Sequence, residues 1–197
     1  MKVLSVLVAV CGLLMVAPPT FAGNDSGGYA AMVLSDRTTN RIVKRLQSDF
    51  QDCTRHPKVY RYDCYQKSYA SAASALRGSD DYAKAAEALR LVQQRIKAVV
   101  DANLDPAQKP LRKGLQRFRP VQQAALPQLK RETIRAMDQA RTILLRSPSA
   151  AQKPHFQKIA AAIDSNKVLL RSALLHLHPL IRTAALVFGW DHPARHL

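Results

Sequence analysis

YAKAAEALRLVQQRIKAVVDAN, residues 82–103, carries apolar side chains at Tyr82, Ala85, Leu89, Val92, Ile96 and Val99, in alternating steps of three and four. Steps of that kind place all six on one stripe of an amphipathic α-helix, the clearest 3.6-residue period in the chain. The helix stops near Asn103, ahead of Asp105-Pro106, and Ser79, Asp80 and Asp81 offer capping oxygens and negative charge at its start. Working backward, residues 60–77 read as a second helix with Tyr65, Tyr69, Ala72 and Leu76 on one face and Gly78 as its C-terminal cap. Before it, Ile42, Leu46, Phe50 and Cys53 form the stripe of a first helix that begins after Ser35 and ends at His56-Pro57, because the residue before proline is pushed out of helical geometry.

Working forward, residues 106–120 hold Leu111, Leu115 and Phe118 at helical spacing. They also hold Gly114 and a crowd of cations, so a short exposed helix or a basic connection is expected. A fourth helix follows over residues 121–146, with Leu126, Met137, Ala140 and Leu144 inward and Pro127 either kinking it or marking its first turn. Residues 147–154 are a loop. A fifth helix, residues 155–177, shows Phe156, Ile159, Ile163, Leu170, Leu174 and Leu177, and an apolar segment over residues 180–190 is expected to pack across the bundle as a short helix. No strand-like alternation survives and no segment repeats. The expected fold is all-α: an antiparallel bundle of four to five helices.

The whole chain has 197 residues, 47% apolar and 22% charged, a composition too apolar for disorder and too polar for an integral membrane protein. Met1-Lys2, an apolar run from Val3 to Val16 and the small residues Thr20 and Ala22 read as a secretory signal peptide over residues 1–22, cleaved after Ala22. The apolar run is shorter than the roughly 20 residues a membrane span needs. Residues 23–34 read as a flexible lead-in, and residues 35–197 as a single helical-bundle domain with no membrane-spanning segment. Periplasmic location is expected, with release to the medium the second choice. Export also reads the cysteines: Cys11 leaves with the signal, and Cys53 and Cys64 remain as a pair in an oxidising compartment, predicting a disulfide between the first two helices.

Charge is the number out of line. Lys+Arg total 30 against 14 Asp+Glu, a net charge of +16. Residues 23–105 are nearly balanced, with 13 basic and 10 acidic side chains, whereas residues 106–197 hold 16 against 4. The densest run is Lys109, Arg112, Lys113, Arg117 and Arg119, resumed by Lys130, Arg131 and Arg135, and these eight are the candidate anion-binding residues. A basic surface raises local anion concentration without naming the anion. For an exported protein the partners in reach are anionic lipid, lipopolysaccharide, acidic polysaccharide or an acidic protein, and nucleic acid is not expected.

Two other constellations stand out. His176, His178, His192 and His196, with Asp191, crowd the C-terminus and are the candidate metal ligands, although side chains two apart on a helix point to nearly opposite sides. Four of the six tyrosines, Tyr60, Tyr62, Tyr65 and Tyr69, cluster beside Cys64, where they pack around the turn or stack on a ligand. Tyr60 and Tyr62 fit the helix stripe least. There is no nucleophile with a base at recognisable spacing, no paired carboxylate and no phosphate-binding glycine loop, so no catalytic residue and no cofactor is assigned. The reading is a non-enzymatic envelope protein acting as a binding or scaffold module through its basic second half. Its alternatives are a metal-binding protein using the C-terminal histidines and an enzyme with an unrecognised pocket.

Overall fold

The computed structural model describes residues 34–146 and 148–172. The expected signal peptide, nearly all of the lead-in, Leu174 and Leu177 of the fifth helix, the expected helix over residues 180–190 and the four C-terminal histidines lie outside the described residues. Five helices form: α1 (Asp36–Thr54), α2 (Lys58–Ser74), α3 (Ala83–Ala102), α4 (Leu126–Arg146) and α5 (Lys153–Ser172). Each apolar stripe read from the sequence faces the same core. Ile42, Leu46 and Phe50 of α1, Tyr65 and Tyr69 of α2, Leu89, Val92 and Ile96 of α3, Met137 and Leu144 of α4, and Phe156 and Ile163 of α5 are all buried.

Helix ends follow local chemistry. Ser35 caps α1, its Oγ accepting from the Thr38 N–H at 3.2 Å. Pro57, with its fixed φ, precedes α2, which starts two residues earlier than expected. α2 ends at Ser74, and the chain turns tightly to Gly78 at φ +81°, a conformation that a side chain would strain. Asp81 does not cap α3: its Oδ2 accepts from the Leu34 N–H at 3.1 Å, and α3 is entered through a 3-10 turn over Asp80–Tyr82. Pro127 sits in the first turn of α4, where a missing N–H costs nothing, so it does not kink the helix. Ser149 and Gln152 exchange hydrogen bonds ahead of α5, Ser149 N–H to Oε1 at 3.1 Å and Gln152 N–H to Oγ at 3.3 Å, the reciprocal arrangement of a capping box.

Consecutive helices pack antiparallel and α5 returns against α1, closing a ring. Asp138 and Arg141 of α4 meet Lys167 and Asp164 of α5, in opposite order along the two helices. A closed ring of five must contain one parallel pair, and it is α1 with α5: Thr39 meets His155, and farther along both helices the Leu46 carbonyl meets Asn166. The predicted disulfide is formed. Cys53 in the last turn of α1 and Cys64 in α2 have Cα atoms 5.6 Å apart, and a closure over 11 residues stabilises the fold by about 3 kcal/mol on the chain-entropy account.

One expectation fails. Residues 106–120 are a basic connection, but in place of a short helix they hold a two-stranded antiparallel hairpin where no strand was expected, β1 (Leu111–Lys113) with β2 (Gln116–Phe118). Gly114, at φ +55°, takes the first place of its two-residue turn, the positive-φ position that tight hairpins require. Strands of three residues are too short to show alternation, and their period was hidden under the helix-like spacing of Leu111, Leu115 and Phe118.

Candidate anion-binding surface

The hairpin is held to the bundle through its backbone and its inward face. Register pairs Leu111 with Phe118, Arg112 with Arg117 and Lys113 with Gln116. Opposed residues share a face of an antiparallel pair, and faces alternate along each strand. Phe118 is buried against the His56 ring, with centroids 4.8 Å apart, so the 111, 113, 116 and 118 positions face the bundle. Arg112 and Arg117 therefore project together on the outward face, both exposed. Their backbone is pinned from below: Lys67 Nζ donates to the Arg117 carbonyl, and the Tyr60 hydroxyl donates to the Lys109 carbonyl at 2.9 Å.

Arg119 stands apart from the other candidates, because its half-buried guanidinium is engaged by two carboxylates. Its Nε and Nη2 donate to Asp63 Oδ1 at 2.9 and 2.7 Å, its backbone N–H to Asp63 Oδ2 at 3.0 Å, and its Nη1 to Asp101 Oδ1 at 2.8 Å. Lys67 completes the cluster at 3.0 Å from Asp63 Oδ2. The Asp63 side chain is wholly buried. Burial pushes its pKa up, but the hydrogen bonds from Arg119 and Lys67 outweigh that and hold it below the ordinary carboxylate value. This cluster ties the hairpin's exit to α2 and the end of α3.

The remaining cations divide into two groups. Lys109, Arg112, Lys113 and Arg117 surround the hairpin, and none makes an ion pair among the described residues. The directly opposed Arg112 and Arg117 repel each other across the ladder, a placement that costs stability where no anion relieves it. At the turn, Leu115 is fully exposed, an apolar tip between cationic strands. Under the hairpin the signs are mixed instead, since a cleft of about 580 Å³ there is lined by Asp49 and Asp52 as well as Arg55, Lys67 and Lys113. His56 at its wall has its pKa lowered by burial and then by the Lys113 charge, which leaves a neutral ring tilted against Phe118. The excess of positive charge is thus on the outward face.

On α4, Arg135 pairs with Glu132 at 2.9 Å. Lys130 and Arg131 face a different cleft, shared with Lys58 and Arg61 of α2. Those two α2 cations and the exposed Leu115 were not singled out from the sequence, because they lie in the balanced half or in apolar spacing that resembled a helix. Three of the four clustered tyrosines, Tyr62, Tyr65 and Tyr69, pack in the core. Tyr65 stacks on Phe50 with centroids 4.1 Å apart, Tyr62 meets Tyr65 edge-on at 5.6 Å, and Tyr69 is fully buried. Tyr62, expected to fit the stripe poorly, is buried too. Among the described residues no group of three His, Cys, Asp or Glu side chains is placed to hold a metal ion, and no helix is long and apolar enough to cross a membrane. His176, His178, His192 and His196 lie outside those residues. Comparison with models of known protein families, with curated protein sequences and with solved structures gave no match to this chain.

Proposed function

We propose that the protein is a non-enzymatic binding or scaffold module of the bacterial cell envelope, exported to the periplasm, that rests its basic hairpin on an anionic lipid or lipopolysaccharide surface. The observation that carries this reading is the outward pair Arg112 and Arg117, unpaired by any carboxylate among the described residues and set beside the fully exposed Leu115. Cations that attract phosphate headgroups around an apolar tip that enters the interfacial layer are the two contributions that add up in peripheral membrane binding. The buried ionisable cluster at Asp63 is satisfied by Arg119 and Lys67, which favours a structural over a catalytic use of it.

Each cation close to an anionic surface contributes about 1 kcal/mol, and Arg112 and Arg117 are the two on the outward face, so the triple variant Arg112→Gln, Lys113→Gln, Arg117→Gln should bind phosphatidylglycerol vesicles about 30-fold more weakly in low salt. Wild-type binding should fall steeply with ionic strength. Co-sedimentation with phosphatidylglycerol and with phosphatidylcholine vesicles over a salt series measures both. Arg119 is left intact in the variant because it holds the fold. Equal sedimentation of wild type and variant at every ionic strength, or equal binding to the two lipids, refutes the proposal.

A further inference from the structure

The second group of cations lines a cleft of about 320 Å³ at the end of the bundle where α2 and α4 begin and α5 contributes Leu170 from its last turn. Its floor is apolar, lined by Tyr62 and Tyr65 with Leu126, Pro127 and Leu170. Its rim carries Lys58, Arg61, Lys130 and Arg131, and no carboxylate lines it. We propose that this cleft binds a single-chain anionic amphiphile, its acyl chain on the tyrosine floor and its phosphate or carboxylate head among the four rim cations. The proposal stands on residues distinct from the hairpin.

Three features support that ligand chemistry. First, the rim charges oppose the local helix dipoles. The first turn of α2 holds Lys58 and Arg61 and no acid, and α4 has no acid in its first turn and Lys130 and Arg131 directly after it. Positive charge near a helix N-terminus is unfavourable, and an anion relieves both the dipole and the cations. Arg61 is preset in this place, its Nε donating to the His56 carbonyl at 2.7 Å. Lys130 carries the cost of the crowding, since burial and then the Arg171 charge lower its pKa. Second, neither the Tyr62 nor the Tyr65 hydroxyl has a hydrogen-bond partner among the described residues. Burial raises both phenol pKa values, that of Tyr65 to about 12, so both stay protonated donors beside the rim. Third, the volume lies at the lower end of the range for small-molecule sites, room for one chain and not for a two-chain lipid.

The test is calorimetric titration of the full chain with decyl phosphate, with decyl maltoside as the neutral chain and inorganic phosphate as the head alone. Saturable one-site binding of decyl phosphate is expected, with decyl maltoside at least about tenfold weaker and inorganic phosphate giving no measurable heat. The variants Lys130→Gln/Arg131→Gln and Lys58→Gln/Arg61→Gln, each checked for an unchanged unfolding transition, should lose at least about tenfold in affinity. The hairpin triple variant should titrate like wild type, which separates this site from vesicle binding. The proposal falls if decyl phosphate shows no saturable site, including the case in which another part of the chain already fills the cleft. It falls also if decyl maltoside binds as well as decyl phosphate, or if the folded rim variants bind decyl phosphate as wild type does.

Discussion

At the scale of single residues, the Arg119–Asp63 contact shows why two arginines two positions apart have opposite roles. Arg117 points outward from a strand, whereas Arg119, just past the strand end, reaches a wholly buried carboxylate. Removing Arg119 leaves the buried Asp63 with Lys67 and Gln66 as its remaining partners, and Arg119→Gln should destabilise the protein by about 2 kcal/mol at neutral pH. The pH dependence has a definite sign. Because the folded Asp63 pKa lies below 3.8, its contribution is complete above that pH and is lost as pH falls through the folded value. In Arg119→Gln, burial is opposed by fewer hydrogen bonds, the folded pKa rises, and the acid loss begins at higher pH. Thermal unfolding of both proteins from neutral pH down to pH 3 measures it; superimposable curves would show that the contact contributes nothing. The rim of the cleft contains the complementary case, four cations that no carboxylate pairs among the described residues.

Elements show the same contrast between a staple and a projection. The Cys53–Cys64 bond joins α1 to α2 directly over the turn at His56-Pro57, and Cys53→Ser/Cys64→Ser should lower stability by about 3 kcal/mol, read as a lower midpoint in urea at unchanged slope. A change in slope would indicate that the bond acts on the compactness of the unfolded chain beyond loop closure. The hairpin is different: its inward face is fastened by Phe118, Lys67 and Tyr60, while Arg112, Arg117 and the Leu115 tip are exposed. A short strand pair held rigid from below presents Arg112, Arg117 and Leu115 at fixed spacing, which a flexible basic loop does not.

For the whole molecule, an excess of 16 positive charges predicts self-repulsion that salt relieves. The unfolding temperature should rise with sodium chloride from low to moderate ionic strength. The triple variant at Arg112, Lys113 and Arg117 should be at least as stable as wild type in low salt, since it removes a like-charge pair and breaks no ion pair among the described residues. A marked loss of stability would mean that these side chains hold the fold instead of awaiting a partner. The ring closure matters at this scale as well. With α5 parallel to α1, the end of α5 is brought to the starts of α2 and α4, and only there do Leu170, Tyr62 and Leu126 enclose one cleft.

Residues 82–103, and the stripes of α1, α4 and α5, needed no tertiary information, because a 3.6-residue apolar period is written in the order of side chains and each stripe has one stable use, burial. The disulfide was equally legible, since Cys53 and Cys64 are the one pair that remains when Cys11 is read as part of a signal peptide. The hairpin was not. Its strands are three residues long, and the deciding signal is a Gly at a turn whose partner strands become recognisable only when paired. Nor was the division of the eight cations, because charge counted along a chain says nothing of which side chain meets a carboxylate across the bundle. Sequence alone determined the helices, their inward faces and the concentration of charge in the second half. Tertiary structure decided that Arg119 is engaged by Asp63 and Asp101, that Arg112 and Arg117 share an outward face, and that Lys130 and Arg131 join Lys58 and Arg61 around an apolar floor. The physical reason is range: helical periodicity acts over a few residues, whereas the Asp63–Arg119 pair spans 56 positions and the cleft draws on three helices.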